Sequence, residues 1–331
     1  MKGVFPYVIL PADSTTLSET GVVMKKDFIS IQDYTPEELQ SMLDLAIQLK
    51  KEYFSGGNPP LLKGKVLGMI FQKPSLRTRV SFDMAMRHLG GDALYLSPNE
   101  IGLGQRESIA DVARVLSGYV HAIMARVFAH EHVLELAKWS SVPVINGLSD
   151  YDHPCQAMAD ALTIIEKFGT LKGVNVTFVG DGNNVCVSLM HIVTKLGGNF
   201  THSGPEGYDM PKQAVELGLQ FASKSGSKVR FTRDPHEAVR DAQVIYTDTW
   251  TSMGQEAEAK EREKVFPPYQ VNEQLVSEAD KDCIVMHCLP AHRGQEITDA
   301  VADGPHSAIF PQAHNRLHAQ KAILVRLFQA G

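Results

Sequence analysis

Short apolar runs alternate along this chain with longer stretches whose apolar positions recur every three or four residues. The runs read as buried strands and the periodic stretches as amphipathic helices. Thr35-Pro36-Glu37-Glu38 opens the first helix with a hydroxyl cap, proline at the first helical position and acids in the first turn. Leu39, Met42, Leu43, Ala46 and Leu49 then mark its buried face. Strands are expected over 66–71, 93–96, 122–127 and 142–145, with helices over 80–89 and 108–116 between them. A long helix is expected over 150–168, starting near His153-Pro154, and the glycines at 169 and 173 break it.

The alternation then restarts. A strand over 174–179 leads through Gly180-Asp181-Gly182-Asn183-Asn184 into a helix running to Leu196. Short strands follow at Phe200 and at 229–231. Two more, over 244–246 and 284–286, end at Asp248 and His287. An amphipathic helix over 315–328 closes the chain. Two rounds of strand and helix predict an α/β protein of two three-layer αβα domains, each with a parallel sheet. In such sheets the active loops sit at strand C-terminal ends, here after residues 71, 127, 179, 247 and 286, so the active site is expected in the cleft between the domains.

With 331 residues, 44% hydrophobic and 21% charged, the composition is that of a globular protein long enough for two domains. The formal net charge is −6, with no basic block and thirteen scattered histidines, which argues against nucleic acid as a partner. No apolar run reaches membrane-spanning length. Cys155, Cys186, Cys283 and Cys288 form no C-x-x-C pair, so a reducing, cytoplasmic compartment fits better than a disulfide framework. Residues 12–20 are rich in Ser, Thr and acids. That disfavours a transit peptide, and residues 1–25 are expected to be a poorly ordered extension or to precede a start at Met24.

Residues 75–82, Ser-Leu-Arg-Thr-Arg-Val-Ser-Phe, directly follow the strand at 66–71. A loop that leaves a strand and opens a helix offers backbone N–H groups, hydroxyls and guanidinium forks, the chemistry that holds phosphate. Taken alone, the octet is more often an ordinary capped helix with solvated arginines. Arg126, His153, Asp248 and Cys288 likewise have plain readings as an ion-pair partner, a helix cap, a second cap and packing. Gly180 to Asn184 follows a strand and opens a helix, as a dinucleotide fingerprint does. Val185 replaces its third glycine, and no ribose-binding acid stands in context.

Together these segments resemble one family. Lys73 to Phe82 is similar to the carbamoyl-phosphate loop of the aspartate/ornithine carbamoyltransferases, and His153-Pro154-Cys155-Gln156 to their second signature. Asp248-Thr249-Trp250-Thr251-Ser252-Met253-Gly254 and His287-Cys288-Leu289-Pro290 resemble the ornithine branch. The likeness runs in order from about Lys26 to the C-terminus. It implies a carbamoyl-phosphate-binding domain over 26–152, completed by a C-terminal helix over 312–331, and an ornithine-binding domain over 153–311. It also implies transfer of the carbamoyl group to the side-chain amine of L-ornithine, giving citrulline and phosphate, with no cofactor and no metal.

By that resemblance, carbamoyl phosphate meets Ser75, Leu76, Arg77, Thr78, Arg126, His153, Gln156, Cys288, Leu289 and Arg316. Ornithine meets Asn184, Asp248, Ser252 and Met253. The catalytic set is Arg77, Arg126, His153, Asp248 and Cys288. The arginines offset phosphate charge, and His153 donates to the developing oxyanion. Asp248 holds the amine, and Cys288 with the Leu289 carbonyl takes up its proton, a thiolate–ammonium-like pair acting as relay. A loop with Trp250 and Ser252 to Gly254 closes on ornithine. A homotrimer or an assembly of trimers is implied.

Three positions depart from the family pattern. Leu76 stands where Thr is common, at a place where the backbone N–H serves phosphate. His314 replaces an acid. Gly102 stands where the family often has a glutamine that reaches an adjacent subunit's phosphate. Either that contact is absent and a glutamine would restore it, or glycine is needed for a positive φ. The alternative readings are a carbamoyltransferase for putrescine or an N-acylated ornithine and, from different classes, a non-catalytic small-molecule-binding protein or a nicotinamide-dependent enzyme of doubly wound fold.

Overall fold

The computed structural model describes residues 26–252 and 254–329. The extension expected over residues 1–25, and Met253, lie outside them. In the first half, β1 (Val66–Phe71), β2 (Asp92–Leu96), β3 (Ala122–Arg126) and β4 (Val144–Leu148) form a parallel sheet in the order β2-β1-β3-β4. In the second, β5 (Asn175–Val179), β6 (Asn199–Ser203), β7 (Val229–Thr232), β8 (Val244–Thr247) and β9 (Ile284–His287) form a parallel sheet in the order β7-β6-β5-β8-β9. Both sheets are mainly apolar, as burial on two faces requires.

The helices of the first half are α1 (Pro36–Phe54), α2 (Leu76–His88), α3 (Pro98–Ile101), α4 (Ile109–Ser117) and α5 (His130–Trp139). Helix α6 (Pro154–Phe168) packs on α1, β4 and α7 (Asn184–Lys195), and the second half continues with α8 (Lys212–Ser225), α9 (Pro235–Val239), α10 (Ala259–Val265), α11 (Glu273–Ser277) and α12 (Asp299–Ala302). Last comes α13 (Ile309–Gln329), which packs back on α1, α2 and α6. The mixed α/β architecture of two parallel-sheet domains is thus the one the sequence predicts.

Thr35 and Glu38 make the reciprocal capping box that starts α1, and the five apolar residues named for its inner face are all buried. Three boundaries differ from expectation. Helix α2 starts at Leu76, not at residue 80, because the Ser75 side chain caps it. Strand β4 runs over Val144–Leu148 rather than 142–145, with a register shift opposite Ala125/Arg126. Helix α13 starts at Ile309, six residues ahead of the expected 315; Pro311 falls in its first turn, where no N–H is owed. Helices α3, α5 and α8 to α12 are absent from the sequence reading.

In each sheet the strand order reverses once, between β1 and β3 and between β5 and β8. Crevices open beyond the C-terminal ends of strands at such switch points. The loops after Phe71 and Arg126 therefore share one crevice, and those after Val179 and Thr247 share another. A polar seam joins the halves behind them. Fully buried Asp152 accepts hydroxyl bonds from Ser30 and from Ser188 on α7. Lys195 Nζ donates to the Gln32 and Tyr34 carbonyls.

Candidate active site

Ser75 Oγ accepts from the Thr78 N–H at 3.2 Å and lies 3.1 Å from Thr78 Oγ1. Residues 76–79 are therefore the first turn of α2, where free amides and the positive end of the helix dipole favour an anion. Leu76 is 75% exposed, so it offers the site only its backbone. Thr78 is fully buried, and two arginines from other elements converge on its hydroxyl. Arg126, the last residue of β3, donates through Nη1 at 3.4 Å, and Arg316 of α13 through Nη2 at 3.3 Å.

Arg77, half-buried, is the third guanidinium of this group. Burial, with Arg316 and Arg77 beside it, pushes Arg126 down to about 9, so it stays charged at neutral pH. Burial also lowers Arg316 and Arg77; the nearby Cys288 and Asp248 act on Arg77 in the opposite sense. The Nε atoms of Arg126 and Arg316 are buried without a hydrogen-bond partner. Like charges gathered with unmade donor bonds cost free energy that an arriving dianion relieves.

His153 and Gln156 stand at the start of α6. The His153 N–H donates to Ser188 Oγ at 2.7 Å, and its ring Nδ1 has no partner. Burial first, then Arg316, Arg126, Lys73 and Arg77, hold its pKa well below the usual histidine value. The ring is therefore neutral at pH 7, carrying one N–H donor. Gln156 accepts through Oε1 from Arg316 Nη1 at 2.7 Å and donates through Nε2 to Asp160 Oδ1 at 2.8 Å.

Asp248 and Cys288 follow β8 and β9. Cys288 Sγ donates to Asp248 Oδ1 at 3.1 Å, and Asn183 Nδ2 donates to Asp248 Oδ2 at 2.8 Å. Burial, then Asp248, push the Cys288 thiol well above its ordinary pKa. It is a protonated thiol that donates to the carboxylate, where the sequence reading had a thiolate–ammonium relay. Leu289 takes φ +60°, a costly conformation for leucine, and its N–H donates to His287 Nδ1 at 2.9 Å. Among the described residues, Asp248, His287 and Cys288 bring one potential metal-ligand atom each within 4.8 Å of one another. His287 uses Nδ1 for Leu289 and Nε2 for Glu296 at 2.9 Å, and Asp248 and Cys288 are bonded to each other, so all three atoms are already engaged within the protein.

The remaining expected contacts are less direct. Asn184 donates to the Ser149 carbonyl at 2.6 Å, a bond that ties α7 to the end of β4. The Ser252 N–H donates to Gln255 within its own loop at 3.1 Å. Trp250 is buried and stacked on Phe266 at 5.9 Å rather than anchored at the surface. Its carbonyl accepts from Arg262, whose guanidinium pairs with buried Asp181 at 2.7 Å. Sequence reasoning missed Arg262, Asp181, Asp152, Ser188, Asn183, Asp160 and Gln312. Only Asp160 carried a legible signal, at i+4 from Gln156 on a helix.

Two glycines bear on the open alternatives. A Cβ on Gly182 would lie 2.3 Å from the Met210 nitrogen, so this glycine packs the loop against the chain's own backbone instead of leaving a cradle for a pyrophosphate. Gly102 caps α3 with φ 53° and ψ 45°, and a Cβ there would lie 3.0 Å from Arg106 Cβ. The geometry supports the backbone reading. Gly102→Ala and Gly102→Gln are both expected to weaken anion binding in this crevice to a similar extent, with about 1–2 kcal/mol of strain, read as the dissociation constant of inorganic phosphate. A gain in affinity confined to the glutamine variant would restore the missing-contact reading.

Fold and site together define a two-lobed α/β protein with an arginine-lined anion crevice facing an acid–thiol pair. The chain matches the carbamoyl-P binding domain of aspartate/ornithine carbamoyltransferase over residues 26–166 and the Asp/Orn binding domain over residues 172–327. It belongs to the aspartate/ornithine carbamoyltransferase family. It is 58% identical over 302 residues to the ornithine carbamoyltransferase of Pyrococcus horikoshii, covering 91% of this chain and 95% of that one. It is 56% identical over 299 residues to the anabolic ornithine carbamoyltransferase of Pyrococcus furiosus, covering 90% and 95%. The solved ornithine carbamoyltransferase structure from Pyrococcus furiosus superposes with a TM-score of 0.89 at 56% identity, covering 91% of this chain and 96% of that one.

Proposed function

We propose that this protein is an ornithine carbamoyltransferase that converts carbamoyl phosphate and L-ornithine to L-citrulline and phosphate. The observation that carries the reading is the meeting of two chemistries in one cleft. Arg126 and Arg316 converge on Thr78 with Arg77 beside them, and Asp248 paired with Cys288 lies close enough to act on the Arg77 charge. The neutral side-chain amine attacks the carbamoyl carbon. The C–O bond to phosphate breaks as the tetrahedral intermediate collapses, and one amine proton is released.

Neutral His153 donates to the oxygen that becomes anionic, Gln156 holds the carbamoyl amide with Leu289, and the arginines stabilise the departing phosphate with Ser75, Leu76 and Thr78. A free alkylamine is protonated at neutral pH. Asp248 receives it as the cation and its carboxylate takes up the released proton, while the Cys288 thiol stays a hydrogen-bond donor to that carboxylate. Asn184, Ser252 and Met253 take the α-amino-acid end.

We further read residues 26–152, completed by the C-terminal helix over 312–331, as the carbamoyl-phosphate domain and 153–311 as the ornithine domain; α13 packs on α1 and α2 and on α6 as well. The same reading makes the enzyme a cytoplasmic homotrimer or assembly of trimers, tested by sedimentation and fractionation. Exposed Leu76 and Val80, one turn apart on α2, and exposed Leu94 on β2 are the kind of surface a partner subunit covers. No helix among the described residues is long and apolar enough to cross a membrane.

The test is citrulline-type product formation across ornithine, putrescine, N-acetylornithine and aspartate. Ornithine is expected to lead putrescine by at least about 10²-fold in kcat/KM, because putrescine leaves the groups for the α-amine and α-carboxylate unpaired. Equal or better turnover of putrescine or acetylornithine would sink the assignment.

A further inference from the structure

One fully buried acid lies outside every motif singled out above. Asp160 sits one turn beyond Gln156 on α6. Its Oδ1 accepts from Gln156 Nε2 at 2.8 Å and from Gln312 Nε2 at 2.7 Å, while Oδ2 has no partner. Gln312 is itself fixed at both ends. Its Nε2 also donates to the Tyr246 hydroxyl at 2.9 Å, and its Oε1 accepts from the His287 N–H at 2.9 Å. The carboxylate is thus clamped between α6, α13 and the ends of β8 and β9.

A carboxamide has a donor end and an acceptor end, and the end that faces a cleft decides what it recognises. A carboxylate offers only acceptors, so Gln156 must give its NH2 group to Asp160 and turn its oxygen outward. We propose that Asp160 is a positioning residue that holds the acceptor end of Gln156 toward the –NH2 of the carbamoyl group, so that the site distinguishes carbamoyl phosphate from other acyl phosphates. This rests on the reading of the cleft as the carbamoyl-phosphate site. Arg316 holds the same oxygen here, but phosphate competes for that guanidinium, whereas Asp160 faces only protein and keeps its grip. Burial raises the Asp160 carboxyl to about 7. A carboxyl keeps an acceptor oxygen in either protonation state, so Gln156 Nε2 retains a partner in both.

The test compares dissociation constants of carbamoyl phosphate and acetyl phosphate, which differ by an amine against a methyl. The wild type is expected to prefer carbamoyl phosphate. In Asp160→Leu, which removes the acceptor at similar size, that preference should fall about tenfold, the worth of one hydrogen bond. Asp160→Asn keeps an acceptor oxygen and should restore most of it. An Asp160→Leu protein in which both affinities fall together, with the ratio unchanged, overturns the proposal and leaves Asp160 a structural residue. Equal affinity of the wild type for the two phosphates also overturns it, and that measurement needs no variant to fold. Failure of the wild type to bind either phosphate would remove the functional reading as well, which separates the two failures.

Discussion

Arg77→Ala is expected to lower kcat by about 10²- to 10³-fold, the cost of about 2.7–4 kcal/mol that follows loss of one preorganised contact to transition-state charge. The fold should hardly notice. Arg77 lies in the first turn of α2 and is half-buried, its charge already penalised by burial. Alanine is at least as good a helix former. Arg126 and Arg316 make poorer probes, because both are buried and bonded to Thr78, so their removal disturbs packing along with chemistry. The expected signature of Arg77→Ala is a thermal midpoint within a few degrees of wild type and a collapsed kcat/KM for carbamoyl phosphate. Near-normal kcat/KM would reduce the Ser75 to Phe82 segment to an ordinary capped helix.

Eight of the nine strands begin within one residue of the expected place, the central ones because they are compact apolar runs buried on both faces, as β1, β3 and β8 are. The exception, β4, is preceded by Pro143 and continues through Asn146 and Gly147, polar and small residues that carry no strand signal. Helix α8 was illegible for a similar reason. Its buried stripe is Ala214, Gly218 and Ala222, small residues that break no hydrophobic pattern, and it has no side-chain cap bond. Helix α5 also lacks a side-chain cap bond. The anion crevice was expected through the family resemblance of Lys73 to Phe82, since taken alone Ser75, Arg77 and Thr78 read as an ordinary capped helix and Arg126 as an ion-pair partner. Its supporting shell was not legible, apart from the i+4 spacing of Gln156 and Asp160. Asp160, Gln312, Asp152 and Ser188 act through contacts between residues up to 152 positions apart, such as Gln312 to Asp160. No spacing rule reports such contacts.

Asp248→Asn is the second change with a large expected effect, and it reads both halves of the proposed amine site. The asparagine keeps shape and can still bond Asn183 or Cys288, but it cannot neutralise an ammonium. The expected loss in kcat/KM for ornithine is about 10³-fold or more, in line with sites built around a buried polar partner. KM for carbamoyl phosphate should change far less, since its cationic ligands are untouched. The same variant has a consequence for Cys288 that does not depend on ornithine. Asp248 is the second cause, after burial, of the raised thiol pKa, and it also accepts the thiol's hydrogen bond. Removing the negative charge lowers that pKa, so the thiolate fraction at pH 8 rises. Cys288 retains some exposure as a residue, although its thiol is held in a buried setting. Alkylation by iodoacetamide should therefore run faster in Asp248→Asn than in wild type, because the thiolate is the reacting form. An unchanged alkylation rate would mean that burial alone holds the thiol. Retention of ornithine turnover within tenfold of wild type would place the amine elsewhere in the cleft.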